Sequence, residues 1–130
     1  MMENIKEIPY GIANFVEVAE QNMYYVDKTM YLPLLEKQPR NLFFIRPRRF
    51  GKSIFLSMLR AYYDIATKRK VPETLRQSMD RQPPTPLQGK FQVVYLDFSR
   101  ASGGSGSLEE NFNNYCGMVI DLFGKVYEPY

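Results

Sequence analysis

The 130-residue sequence contains no histidine, which excludes imidazole acid–base chemistry and the commonest metal ligand. Its single cysteine, Cys116, cannot close an internal disulfide, and no cysteine cluster with zinc-binding spacing exists. No run of 18 apolar residues is present to form a transmembrane helix, and the charged start Met1-Met2-Glu3-Asn4-Ile5-Lys6-Glu7 does not read as a signal peptide. A soluble, reducing, cytoplasmic setting with no membrane partner is expected. Net charge is also scarce, at +3 from 17 basic and 14 acidic residues, so overall charge does not argue for nucleic acid as a partner. Basic residues do cluster, at Arg46-Arg48-Arg49 and Lys68-Arg69-Lys70, and the second cluster reads as a solvated face.

What the chain does have is apolar content, 45% of residues with 15% aromatic, enough for one small domain with its own core. After the Pro9-Tyr10-Gly11 turn signal, Ile12, Phe15, Val16 and Ala19 recur at helical spacing up to Gln21. Met23-Tyr24-Tyr25-Val26 is an extended segment. Asp27 and Thr29 are candidate N-caps for a helix through Leu32, Leu35 and Glu36, with Pro33 in its first turn and Pro39 ending it.

Leu42-Phe43-Phe44-Ile45 is apolar without alternation, the pattern of a strand buried on both faces. A helix opens near Lys52 with a predicted stripe of Phe55, Met58, Leu59, Tyr62 and Ile65. Residues 66–90 form a polar, proline-bearing excursion with a short helix expected around Glu73 to Met79. Phe91 to Phe98 reads as a second strand, and Ser102-Gly103-Gly104-Ser105-Gly106 has the composition of a native loop or an inserted linker. Ser107-Leu108-Glu109-Glu110 matches a capping box before a helix striped by Phe112, Tyr115, Cys116, Val119, Leu122, Phe123 and Val126. Cys116 lies on that stripe and reads as a core residue rather than a nucleophile. The order strand, loop, helix, strand predicts an α/β fold: a right-handed parallel βαβ core with flanking helices, the N-terminal part of a P-loop αβα sandwich.

One motif carries chemistry. Gly51-Lys52-Ser53 matches the second half of G-x-x-x-x-G-K-[ST], with Arg46 where the first glycine would stand. Gly51 lets backbone approach a phosphate without a Cβ in the way, and the following helix N-terminus presents N–H groups to the anion. Lys52 supplies a point charge for the β- and γ-phosphates, and the Ser53 hydroxyl can ligate Mg²⁺. Pro47, Phe50 and Ile54 complete the segment, while Arg48 and Arg49 add cationic donors. The plain structural alternative is a helix whose first turn happens to read Gly-Lys-Ser, preceded by solvated arginines.

Four segments then resemble the N-terminal portion of the bacterial AAA-ATPase-like family, whose members often carry a C-terminal PD-(D/E)XK nuclease-like domain. They are Ile8-Pro9-Tyr10-Gly11-Ile12 with Phe15, Tyr24-Tyr25-Val26-Asp27-Lys28-Thr29, Arg46-Pro47-Arg48-Arg49-Phe50-Gly51-Lys52-Ser53, and Val93-Val94-Tyr95-Leu96-Asp97-Phe98-Ser99. The resemblance implies ATP and Mg²⁺ as cofactors and makes the missing first glycine a family variant. It also implies that Tyr24, Tyr25 and the Asp27-Lys28-Thr29 turn face the base, a role compatible with Asp27 and Thr29 acting as caps.

Asp97 ends an apolar run and on its own could be an acidic metal ligand, but in the family pattern the acidic Asp-Glu strand lies further downstream. On that reading the sequence is a truncated domain in which hydrolysis is doubtful, divided as 1–40 (N-terminal helices and base-side segment), 41–65 (P-loop strand and helix), 66–90 and 91–130 (second strand and helix). A small sheet should leave edges exposed and favour self-association. Two alternatives remain: a minimal Mg²⁺-dependent NTPase using Asp97, and a basic nucleic-acid or protein interaction module with no nucleotide role.

Overall fold

A computed structural model describes residues 5–67 and 83–130. The chain divides into two compact units, Met1–Phe91 and Gln92–Tyr130. The expected helix around Glu73 to Met79 and the Lys68-Arg69-Lys70 cluster lie outside the described residues.

The first unit is built on helices. Helix α1 spans Phe15–Glu20, and the Asn14 side chain caps it by accepting from the Val16 N–H. A 3₁₀ turn at Thr29–Tyr31 runs into α2, Leu32–Glu36, with Pro33 in the first turn where its missing N–H costs nothing. Helix α3 spans Lys52–Tyr63. Phe15, Leu32, Phe55, Met58, Ala61 and Tyr62 bury together as the core, Met58 being 0% exposed. A polar bond locks α1 onto α3, since the Phe15 N–H donates to Ser57 Oγ at 2.9 Å. At the other end of α3, the Tyr63 hydroxyl and Thr85 Oγ1 both donate to Glu36 Oε1, at 2.9 and 2.6 Å.

The second unit pairs α4, Leu108–Tyr127, with the segment leading into a 3₁₀ turn at Phe98–Ser102. The capping box is formed in full: Ser107 Oγ accepts from the Glu110 N–H at 3.2 Å, and Glu110 Oε2 accepts from the Ser107 N–H at 3.0 Å. The expected apolar stripe is buried only at Tyr115; Phe112, Leu122 and Val126 remain 40% or more exposed.

The parallel βαβ core is not formed, and the α/β assignment is corrected accordingly. Among the described residues there is no strand or sheet, only an isolated parallel bridge between Asp64 and Phe91. The physical reason differs at the two predicted strands. Residues 42–45 take no regular secondary structure, no strand pairs with them among the described residues, and Phe43 and Ile45 stay 93% and 86% exposed. Phe44 alone is anchored, stacked on Phe55 with ring centroids 4.9 Å apart. Residues 92–97 instead bond to tyrosine hydroxyls of α4. Tyr127 Oη accepts from the Val93 N–H at 3.0 Å and Tyr115 Oη accepts from the Asp97 N–H at 2.7 Å. Side chains thus occupy backbone groups that a ladder would have used.

Candidate functional site

The loop from Arg46 to Gly51 enters α3 through backbone of unusual hand. Arg49 has φ of 64° and Gly51 has φ of 76°. The left-handed region is unstrained for Gly51 and costs a non-glycine residue such as Arg49 about 1–2 kcal/mol. Gly51 caps α3 without a side-chain hydrogen bond, leaving the first-turn N–H groups of α3 to be satisfied from outside the helix. Left-handed residues of this kind turn successive N–H groups toward a common anion-binding concavity. Arg46, Pro47, Arg48, Arg49, Phe50 and Ser53 are exposed, while Gly51, Lys52 and Ile54 are half-buried.

Two ammonium groups reach this loop. Lys52 Nζ folds back over it and donates to the Arg46 carbonyl at 2.8 Å. Lys28 arrives from the Asp27–Thr29 turn; a Cβ built on Gly51 would lie 3.9 Å from Lys28 Nζ and 3.5 Å from Ile54 Cγ2. That geometry tests whether phosphate fits: the glycine leaves a cradle that a side chain would fill, walled on one side by a cation. The fit is favourable.

Beside the loop lies an apolar cleft of about 250 Å³, lined by Ile8, Pro9, Tyr24, Tyr25, Val26, Lys28, Ile54 and Phe55. Lys28 and Ile54 belong both to the cleft and to the surroundings of Gly51, so the two features are contiguous. The Tyr25 ring packs edge-on against Phe15 at 5.0 Å, and its hydroxyl is buried without a hydrogen-bond partner among the described residues. Burial, with a smaller contribution from the Asp27 charge, pushes the Tyr25 hydroxyl up to about 12. It is therefore neutral at ordinary pH. Thr29 Oγ1 is likewise buried and unpartnered among the described residues.

Neither Asp27 nor Thr29 caps α2 as expected: its N-cap is Tyr31, with no side-chain cap bond, and Asp27 Oδ1 instead closes a local turn by accepting from the Thr29 N–H at 2.9 Å. Asp97 belongs to the second unit. Its carboxylate accepts from Ser99 Oγ at 2.6 Å and from the Ser99 N–H at 3.1 Å. These hydrogen bonds, Ser99 Oγ foremost and aided by Arg100, hold it below the usual carboxylate range. Asp97 is thus the cap of the Phe98–Ser102 turn. Among the described residues no group of three or more His, Cys, Asp or Glu side chains is gathered to hold a metal.

The sequence placed Lys28 only at the base-facing turn, and its proximity to Gly51 was not anticipated. Nor were Ile8, Pro9 and Phe55 as cleft walls. The single signal available was that Ile8-Pro9 and Lys28 fall within segments sharing a family pattern.

A left-handed glycine thus opens α3, with the Lys28 and Lys52 ammonium groups near its loop and an aromatic cleft adjoining it. Comparison with known proteins gives the family: residues 9–129 match the model of the AAA-ATPase-like family, described as predicted AAA-ATPase, and the chain belongs to that family. An uncharacterized protein in the vnfD 5′ region of Azotobacter chroococcum mcd 1 is 47% identical over 55 residues, covering 42% of this chain and 11% of that protein. This chain thus matches a small part of that relative's length. No solved structure matches. No helix among the described residues is long and apolar enough to cross a membrane.

Proposed function

We propose that the first unit binds ATP, with the triphosphate on the variant P-loop Arg46 to Ser53 and the base in the adjoining cleft. The observation that carries this reading is the left-handed Gly51 at the start of α3, set between the ammonium-bearing side chains of Lys52 and Lys28. Membership of a family described as predicted AAA-ATPases supports a nucleotide as the anion.

In this reading the N–H groups at the start of α3 donate to phosphate oxygens, favoured by the positive end of the helix dipole. Lys52 exchanges the Arg46 carbonyl for the distal phosphates. Tyr24 and Tyr25 line the cleft and offer apolar ring surface to the base. Ser53 Oγ would be the protein group to hold Mg²⁺, which when bound would neutralise phosphate charge.

Isothermal titration of the chain with ATP and Mg²⁺, comparing wild type with Lys52→Ala, tests the proposal. Saturable binding weakened at least about tenfold by loss of the charged contact is expected. Equal binding by both proteins, or by neither, overturns it.

A further inference from the structure

We propose that Lys28 is a second phosphate-binding cation, engaging the phosphate nearest the base while Lys52 engages the distal ones. The inference rests on the nucleotide-binding reading above and assigns an additional residue to it.

The placement follows from three observations. Lys28 lines the apolar cleft, and its Nζ also stands 3.9 Å from where a Gly51 Cβ would project. It therefore occupies the junction between the cleft and the loop, where the first phosphate after the ribose must pass. Lys52, by contrast, extends its Nζ to the Arg46 carbonyl at the opposite end of the loop. The two ammoniums thus mark the two ends of the phosphate path.

The neighbourhood leaves Lys28 available. Asp27 directs Oδ1 to the Thr29 N–H. Among the described residues no carboxylate forms an ion pair with Lys28. The Asp27 Oδ1 bond to the Thr29 N–H fixes the backbone turn from which Lys28 projects.

The test uses the whole chain and compares AMP, ADP and ATP as ligands, by isothermal titration, for wild type, Lys28→Met and Lys52→Ala. Lys28→Met should weaken all three nucleotides by a similar factor, about tenfold for one charge-assisted contact. Lys52→Ala should weaken ADP and ATP while leaving AMP close to wild type. Lys28→Arg, which keeps the charge, should recover most of the loss. If Lys28→Met does not fold by circular dichroism, Lys28→Gln carries the same comparison with a polar side chain of similar reach.

Wild-type affinities in Lys28→Met for all three ligands, with Lys52→Ala still impaired, overturn the Lys28 assignment and leave the ATP proposal standing. A Lys28→Met loss confined to ATP also overturns it, because the residue would then face the distal phosphates. Failure of the wild-type chain to bind any of the three overturns both.

Discussion

Gly51→Ala separates the conformational role of the loop from its chemical one. At φ of 76° an alanine pays the left-handed penalty of about 1–2 kcal/mol, partly offset by the reduced freedom of its unfolded chain. The added methyl meets only Ile54 Cγ2 at 3.5 Å and Lys28 Nζ at 3.9 Å, both ordinary contact distances, so no clash adds to the cost. The expected destabilisation is therefore about 1 kcal/mol, within the margin of a small domain. The methyl projects toward Lys28, into the space assigned to phosphate, so ATP affinity should fall by about tenfold or more. Gly11→Ala is the control: its φ is 74° and nothing lies within 4 Å of the added Cβ. It should show a similar stability loss by urea unfolding and unchanged ATP affinity by calorimetry. Wild-type ATP affinity in Gly51→Ala, or an equal loss in Gly11→Ala, would refute the assignment of the Gly51 space to phosphate.

Other outcomes follow from the packing and the titrating groups. Met58→Ala removes the fully buried centre of the α1–α3 contact and should cost about 2–5 kcal/mol in urea unfolding; a loss below about 1 kcal/mol would contradict the described core. Gly117→Ala, inside α4 with nothing near the added Cβ, should raise the thermal midpoint of the second unit through about 0.5–1 kcal/mol of helix propensity. In alkaline solution the first unit should lose stability. The Tyr25 hydroxyl is raised from about 10 to about 12 by burial, and Tyr63 is raised by burial and its bond to Glu36. The folded state thus holds these protons more tightly. Stability is fully present below pH 10 and declines as pH rises through about 12, an effect that Tyr25→Phe should reduce in pH-dependent unfolding.

Local signals in the sequence translated directly into structure, and long-range ones did not. Ser107 with Glu110 is read within a few residues because that helix end is satisfied by its own neighbours, and Gly51 before Lys52 is equally local, a left-handed glycine opening α3. A strand is different, since its backbone groups need a partner remote in sequence. Leu42 to Ile45 has the composition of a buried strand, but no segment pairs with it among the described residues. At Val93 and Asp97 the bonding partners are tyrosine hydroxyls of α4, which no period-2 or apolar-run pattern announces. The candidate site divides the same way. Arg46 to Ile54 was legible as a motif, whereas the cleft exists only once Ile8, Tyr24 and Phe55 are brought together. Lys28 was visible as a motif residue, but its distance from Gly51 is a tertiary fact. Asp97 could be read as metal ligand or turn residue, and its bonds to Ser99 give it the capping role.

The most direct measurement is an amide-resolved NMR titration of the ¹⁵N-labelled chain with ATP and Mg²⁺. Nucleotide binding on the variant P-loop predicts saturable shifts at Gly51, Lys52 and Ser53, with accompanying shifts at Tyr25 and Lys28 along the cleft. Saturable shifts confined to residues outside 46–54 and the cleft, or no saturable shifts at all, would contradict it.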